Sequence, residues 1–121
     1  MPKLEIVGEG TFEVDEGERL VLAVEGCGVD IGHRCGGFAR CTTCRVEFVE
    51  GEPGRMTAAE RDKLAERDLL GQLRLSCQCV VEGDMKLKVL MRASDQGWSD
   101  PGPPPAPEIT PPPEWTGFPE S

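Results

Sequence analysis

Four cysteines have types and spacing that could do chemistry together. Cys35, Cys41 and Cys44 stand in the run C-GGFAR-C-TT-C, a C-x5-C-x2-C pattern, and Cys77 follows after 32 intervening residues in RLSCQ. Thiolates drawn from one tight loop and one remote point make a tetrahedral sulfur cage, which suits an iron–sulfur cluster or zinc. Several thiolates held close together repel one another. Ferric irons remove that cost, and backbone N–H groups aimed at the sulfurs help further. A chain wrapped that closely needs short side chains and tolerant backbone, which Gly36, Gly37, Ala39, Thr42 and Thr43 supply. Thr42 and Thr43 can also offer hydroxyl hydrogen bonds to sulfur.

Competing chemistries fit less well. A zinc ribbon built on Cys41 and Cys44 wants a second matched pair, and Cys77 and Cys79 are separated by one residue only. A thioredoxin-like pair at Cys41 and Cys44 wants a βαβ context that this chain does not offer. A Rieske centre needs two His ligands, and His33 is the single histidine. No nucleophile–base pair or catalytic carboxylate pair is legible, so the chain does not read as an enzyme.

The elements that must position the cysteines read as follows. Lys3–Val7 and Thr11–Val14 alternate in polarity around Gly8-Glu9-Gly10 and predict a hairpin. Arg19–Glu25 is apolar at Leu20, Val21, Leu22 and Val24, a pattern open to either a buried strand or a short helix. Residues 32–44 form the ligand loop, and Arg45–Val49 alternates as a strand. Thr57-Ala58-Ala59-Glu60 has the form of a capping box, predicting a helix from Thr57 toward Leu70 with Glu60 and Lys63 paired on its surface. Residues 84–90 alternate again, with Met85, Leu87 and Val89 on one face. The order is α+β.

The three-Cys loop, the preceding VDIGHRC and the later LRLSCQ together resemble the 2Fe–2S ferredoxins, in particular the adrenodoxin-like branch, whose loop is one residue longer than the plant-type C-x4-C-x2-C. The resemblance covers roughly residues 3–92. It implies a β-grasp fold with a helix at Arg19–Glu25, and a 2Fe–2S cluster held by Cys35, Cys41, Cys44 and Cys77, the first two on the solvent-near iron. It chooses Cys77 over Cys79 as the fourth ligand and leaves Cys27 and Cys79 as small packed hydrophobes. It also implies a carrier that takes one electron from a ferredoxin reductase and passes it to an oxygenase or other acceptor. A cluster-bearing sensor or regulatory subunit and a structural zinc module are the alternatives. Relatives in that branch dock through an acidic helix. Here the signs interleave, as Glu60-Arg61-Asp62-Lys63 and Glu66-Arg67-Asp68.

Bulk properties bound the rest. The chain has 121 residues and a formal net charge of −9, which argues against nucleic acid and suits redox proteins with basic faces as partners. No apolar run of about 18 residues is present, so no membrane span is expected. The N-terminal residues lack a signal-peptide pattern, so a cytoplasmic, reducing setting is expected, favouring metal over disulfides. The chain has no Asn, a bias that a thermophile or a GC-rich genome produces. His33, Arg34, Arg40, Arg45 and Arg74 read as long cations covering the surface near the ligands, with an upward pull on the reduction potential as their functional reading. All 13 Lys and Arg lie in residues 1–92, whereas residues 94–121 carry nine of the 11 prolines. Two regions are therefore expected: a cluster domain at 1–93 and an acidic, Pro-rich extension at 94–121. Trp98, Ile109, Trp115 and Phe118 are the groups available to clamp that extension onto its own domain or onto a second copy.

Overall fold

The computed structural model describes residues 2–29, 31–32, 44–52, 55–91, 109 and 115–117. Seven strands and two α-helices are described: β1 (Lys3–Ile6), β2 (Gly10–Glu13), α1 (Leu20–Gly26), β3 (Arg45–Glu50), β4 (Arg55–Thr57), α2 (Ala58–Glu66), β5 (Arg74–Leu75), β6 (Met85–Val89) and β7 (Trp115–Gly117). Five of the strands form one mixed sheet in the order β2-β1-β6-β3-β5. The expected hairpin is β1 with β2, in antiparallel register from Lys3 opposite Glu13 to Ile6 opposite Gly10. β1 runs parallel to β6, and β3 runs antiparallel to both β6 and β5. This is an α+β, β-grasp arrangement, in agreement with the sequence expectation.

The run at Arg19–Glu25 is a helix because its buried residues fall at Leu20, Val21, Ala23 and Val24, one face of a 3.6-residue period. That face packs with Leu4, Ile6, Val46 and Leu87 from the sheet and Leu64 from α2 in a single core.

α2 begins where the capping box places it: the Thr57 hydroxyl oxygen accepts the Glu60 N–H at 3.1 Å. It stops short of Leu70. Asp68 takes φ 61°, the Asp68 N–H donates to the Ala65 carbonyl and the Leu69 N–H to the Leu64 carbonyl. These two bonds close a Schellman turn that ends the helix.

The surface pair expected between Glu60 and Lys63 does not form. Lys63 pairs with Glu66 at 3.1 Å instead. Glu60 is fully buried, and its carboxylate accepts from Arg74 Nε at 2.9 Å, Arg74 Nη2 at 3.1 Å and the Leu75 N–H at 2.7 Å. The i, i+3 spacing put Glu60 and Lys63 near each other, but α2 turns Glu60 toward the sheet, where β5 presents a stronger partner. Arg74 correspondingly is no surface cation: it is buried, with Glu52 as a second, longer contact at 3.4 Å. The ion pair pins α2 to β5, and β5 leads directly into the segment that carries Cys77.

Residues 115–117 form a two-stranded sheet with β4, Arg55 opposite Gly117, Met56 opposite Thr116 and Thr57 opposite Trp115. Ile109 is buried. This part of the extension is thus held by a backbone ladder and one aliphatic side chain, and Trp115 remains 36% exposed. Trp98 and Phe118 lie outside the described residues.

Candidate metal centre

The ends of the long cysteine loop are held from both sides. At its entry the Gly32 N–H donates to the Met91 carbonyl. At its exit Cys44 precedes β3 and its carbonyl accepts twice from Ser76, from the backbone N–H at 3.0 Å and from the hydroxyl at 2.8 Å. These bonds bring Cys44 to the short 3₁₀ turn Ser76–Gln78, although the two lie far apart in sequence. Cys44 and Cys77 are both buried. Cys35 and Cys41 lie outside the described residues, as do His33, Arg34 and Arg40.

The sulfurs of Cys44 and Cys77 each face an N–H donor. The Cys77 backbone N–H points at Cys44 Sγ at 3.5 Å. The Gln78 side-chain amide Nε2 points at Cys77 Sγ at 3.7 Å. Aiming N–H groups at sulfur stabilises thiolate over thiol, which is what a metal-ligating cysteine requires. The pair therefore fits a sulfur-ligated metal cluster.

Arg19 holds the same turn from behind, its Nε donating to the Cys77 carbonyl at 2.7 Å from a fully buried position. The Arg19 backbone also bridges Val80. This role has no sequence signal beyond a cation opening an apolar run.

Cys79 behaves differently from Cys77. Its Sγ is a donor, to the Leu75 carbonyl at 3.4 Å. Burial pushes its thiol well up from the ordinary range, with Glu60 adding to the effect. Cys27 is half-buried against the core, and burial together with nearby Glu18 raises its thiol as well. Both match the expectation of small packed hydrophobes. Gln78, Thr57 and Ser76 are parts of the site that residue type and spacing did not single out. Gln78 and Ser76 stand in LRLSCQ, but only the tertiary fold brings Thr57 to Gln78.

Residues 5–82 match the family described as the 2Fe-2S iron-sulfur cluster binding domain. Among solved structures, the ISC-like 2Fe-2S ferredoxin FdxB of Pseudomonas putida superposes with a TM-score of 0.58 at 27% identity, covering 74% of this chain and 92% of that one. A ferredoxin of Rhodopseudomonas palustris gives 0.55 at 25% identity, over 74% of this chain and 95% of that one. Among curated proteins, a component of the Na(+)-translocating NADH-quinone reductase of Chlamydia pneumoniae is 35% identical over 81 residues, 67% of this chain and 19% of that component. The corresponding component in Methylococcus capsulatus is 34% identical over 84 residues, 69% of this chain and 20% of its own length. The chain thus spans about a fifth of the length of these curated relatives.

Proposed function

Because the chain belongs to the 2Fe-2S iron-sulfur cluster binding family, we propose that it works as a one-electron carrier with Cys35, Cys41, Cys44 and Cys77 as the cluster ligands. The bound cluster supplies reversible one-electron chemistry. The chain's own residues bury two of the sulfurs, aim N–H groups at them and brace the turn that carries Cys77. The observation that carries the assignment of Cys77 is the contrast with Cys79: one sulfur receives a donor, the other is itself a donor.

The donor in this reading is a flavin- or nicotinamide-linked reductase and the acceptor a separate enzyme. The domain occupies residues 1–93, with the C-terminal extension serving as a clamp on its own domain. The thiols of Cys27 and Cys79 suit a reducing compartment such as the cytoplasm. Among the described residues no helix is long and apolar enough to cross a membrane.

The test is a set of single Cys→Ser variants, read by iron and sulfide content and visible absorption. Serine at 35, 41, 44 or 77 is expected to abolish or severely weaken the cluster, whereas serine at 27 or 79 leaves it in place. A chain that bleaches with Cys79→Ser and survives Cys77→Ser overturns the ligand assignment. Stoichiometric zinc without visible charge-transfer bands in freshly isolated protein overturns the cluster reading.

The similarity to one segment of a larger reductase component favours a second reading, in which the domain relays electrons inside an assembly. Rapid turnover of the isolated chain between a soluble reductase and a soluble acceptor speaks for the first reading. Reversible reduction with turnover only in a co-purifying complex speaks for the second.

A further inference from the structure

A buried polar chain leads from the start of α2 to the sulfur of Cys77. The Glu60 N–H donates to Thr57 Oγ1 at 3.1 Å. Thr57 Oγ1 donates in turn to Gln78 Oε1 at 2.8 Å, and Gln78 Nε2 faces Cys77 Sγ at 3.7 Å. Thr57 and Gln78 are fully buried.

The direction of the chain follows from the Thr57 hydroxyl. The hydroxyl hydrogen needs an acceptor in this buried position, and the group it meets on Gln78 is the carbonyl oxygen Oε1. The amide NH₂ is thereby turned to the sulfur. The opposite orientation would set a carbonyl oxygen against an electron-rich sulfur.

We propose that Gln78 raises the reduction potential of the bound cluster through its amide N–H to Cys77 Sγ, and that Thr57 is the positioning residue that fixes the amide's orientation. The proposal rests on the reading of Cys77 as a ligand. An added electron increases negative charge on the sulfurs, so an N–H donor stabilises the reduced form more than the oxidised one. Its removal lowers the potential. The amide is neutral and buried, so the effect is independent of pH in the working range and weakly dependent on salt.

The experiment uses the full-length, cluster-loaded chain and its variants Gln78→Met, Thr57→Val, Thr57→Ser and the double Thr57→Val/Gln78→Met, in mediated redox titrations. Methionine keeps the volume of glutamine and lacks the N–H. The reduction equilibrium is expected to shift about three- to tenfold in Gln78→Met, which is about 28–59 mV downward for a one-electron couple. Thr57→Val is expected to move the potential in the same direction by less, and Thr57→Ser to restore it. The double variant is expected to match Gln78→Met, because Thr57 acts through Gln78.

A Gln78→Met protein with full cluster content and an unchanged potential overturns the proposal. A double variant showing the full sum of the two single shifts overturns the role of Thr57. Should the variants not hold cluster, the wild-type chain provides the second measurement. With its three glutamines ¹⁵N-labelled, the Gln78 side-chain NH₂ is expected to show strong paramagnetic relaxation, and a diamagnetic Gln78 signal overturns the proposal. The underlying ligand reading fails separately: there Cys77→Ser keeps the cluster, whereas failure of the Gln78 proposal alone leaves Cys77→Ser bleached.

Discussion

Replacing Arg74 with Met removes the guanidinium that holds a buried carboxylate. Glu60 has no solvent exposure and accepts three hydrogen bonds, two from Arg74 and one from the Leu75 N–H. After the substitution only the Leu75 N–H remains. Stranding a buried charge in this way costs about 3–5 kcal/mol. For a domain of this size that corresponds to a fall of at least about 12 °C in apparent Tm. The assay is loss of visible cluster absorption at a fixed heating rate, because cluster loss makes unfolding irreversible. The control is the double variant Glu60→Leu/Arg74→Met. It removes both charges and is expected to recover most of the loss, short of about 1 kcal/mol for the Leu75 N–H left without its acceptor.

The pH dependence has a definite sign. Burial raises the Glu60 carboxyl above its ordinary value of 4.5, while Arg74 and the Leu75 N–H pull it back. Without Arg74 it rises further, so the folded chain holds a proton that the unfolded chain releases. Stability is then fully present below about 4.5 and is lost as pH rises toward the folded value. Arg74→Met is therefore expected to lose progressively more, relative to the wild type, as pH rises above about 4.5. An Arg74→Met protein that melts within about 2 °C of the wild type would falsify the reasoning. So would a double variant no more stable than Arg74→Met.

Other expectations follow from particular positions. Gly51 has φ 77°, and a Cβ there would run into the Asp84 carbonyl oxygen and stand 3.0 Å from Met85 Cα; Gly51→Ala is expected to destabilise by about 2–4 kcal/mol, read by apparent Tm. Asp68 is the described non-glycine residue at positive φ, so Asp68→Gly is expected to stabilise by about 0.5–1 kcal/mol in the same assay. Cys79→Ser is expected to keep the visible spectrum while losing about 1 kcal/mol of stability through its altered packing. Truncation after Ala93 removes β7 and buried Ile109. It is expected to leave the spectrum unchanged and to lower apparent Tm, the Ile109 side chain alone contributing about 1.5–3 kcal/mol. A truncated chain with unchanged Tm and mass but slower electron transfer instead makes the extension a docking arm.

What the sequence determined by itself is local. Alternation at Lys3–Val7 and at residues 84–90 specified strands because a period of two has one buried-face solution. Thr57-Ala58-Ala59-Glu60 specified a helix start because the hydroxyl–N–H bond needs only three residues of chain. The C-x5-C-x2-C run with Cys77 pointed to a sulfur-ligated centre, in keeping with the family match, because sulfur chemistry is written in residue type and spacing.

The tertiary structure decided what depends on residues far apart in sequence. Glu60 looked like a surface residue with Lys63 as its neighbour until β5 brought Arg74 and the Leu75 N–H against it. Helix or strand at Leu20–Gly26 was open to periodicity, because five apolar residues in seven satisfy both patterns; burial on the sheet resolved it. The contrast between Cys77 and Cys79 came from the 3₁₀ turn at Ser76–Gln78, which gives one sulfur the Gln78 amide and the other the Leu75 carbonyl. Spacing counts residues along the chain, whereas a sulfur's partners are set by elements that meet only when the sheet closes.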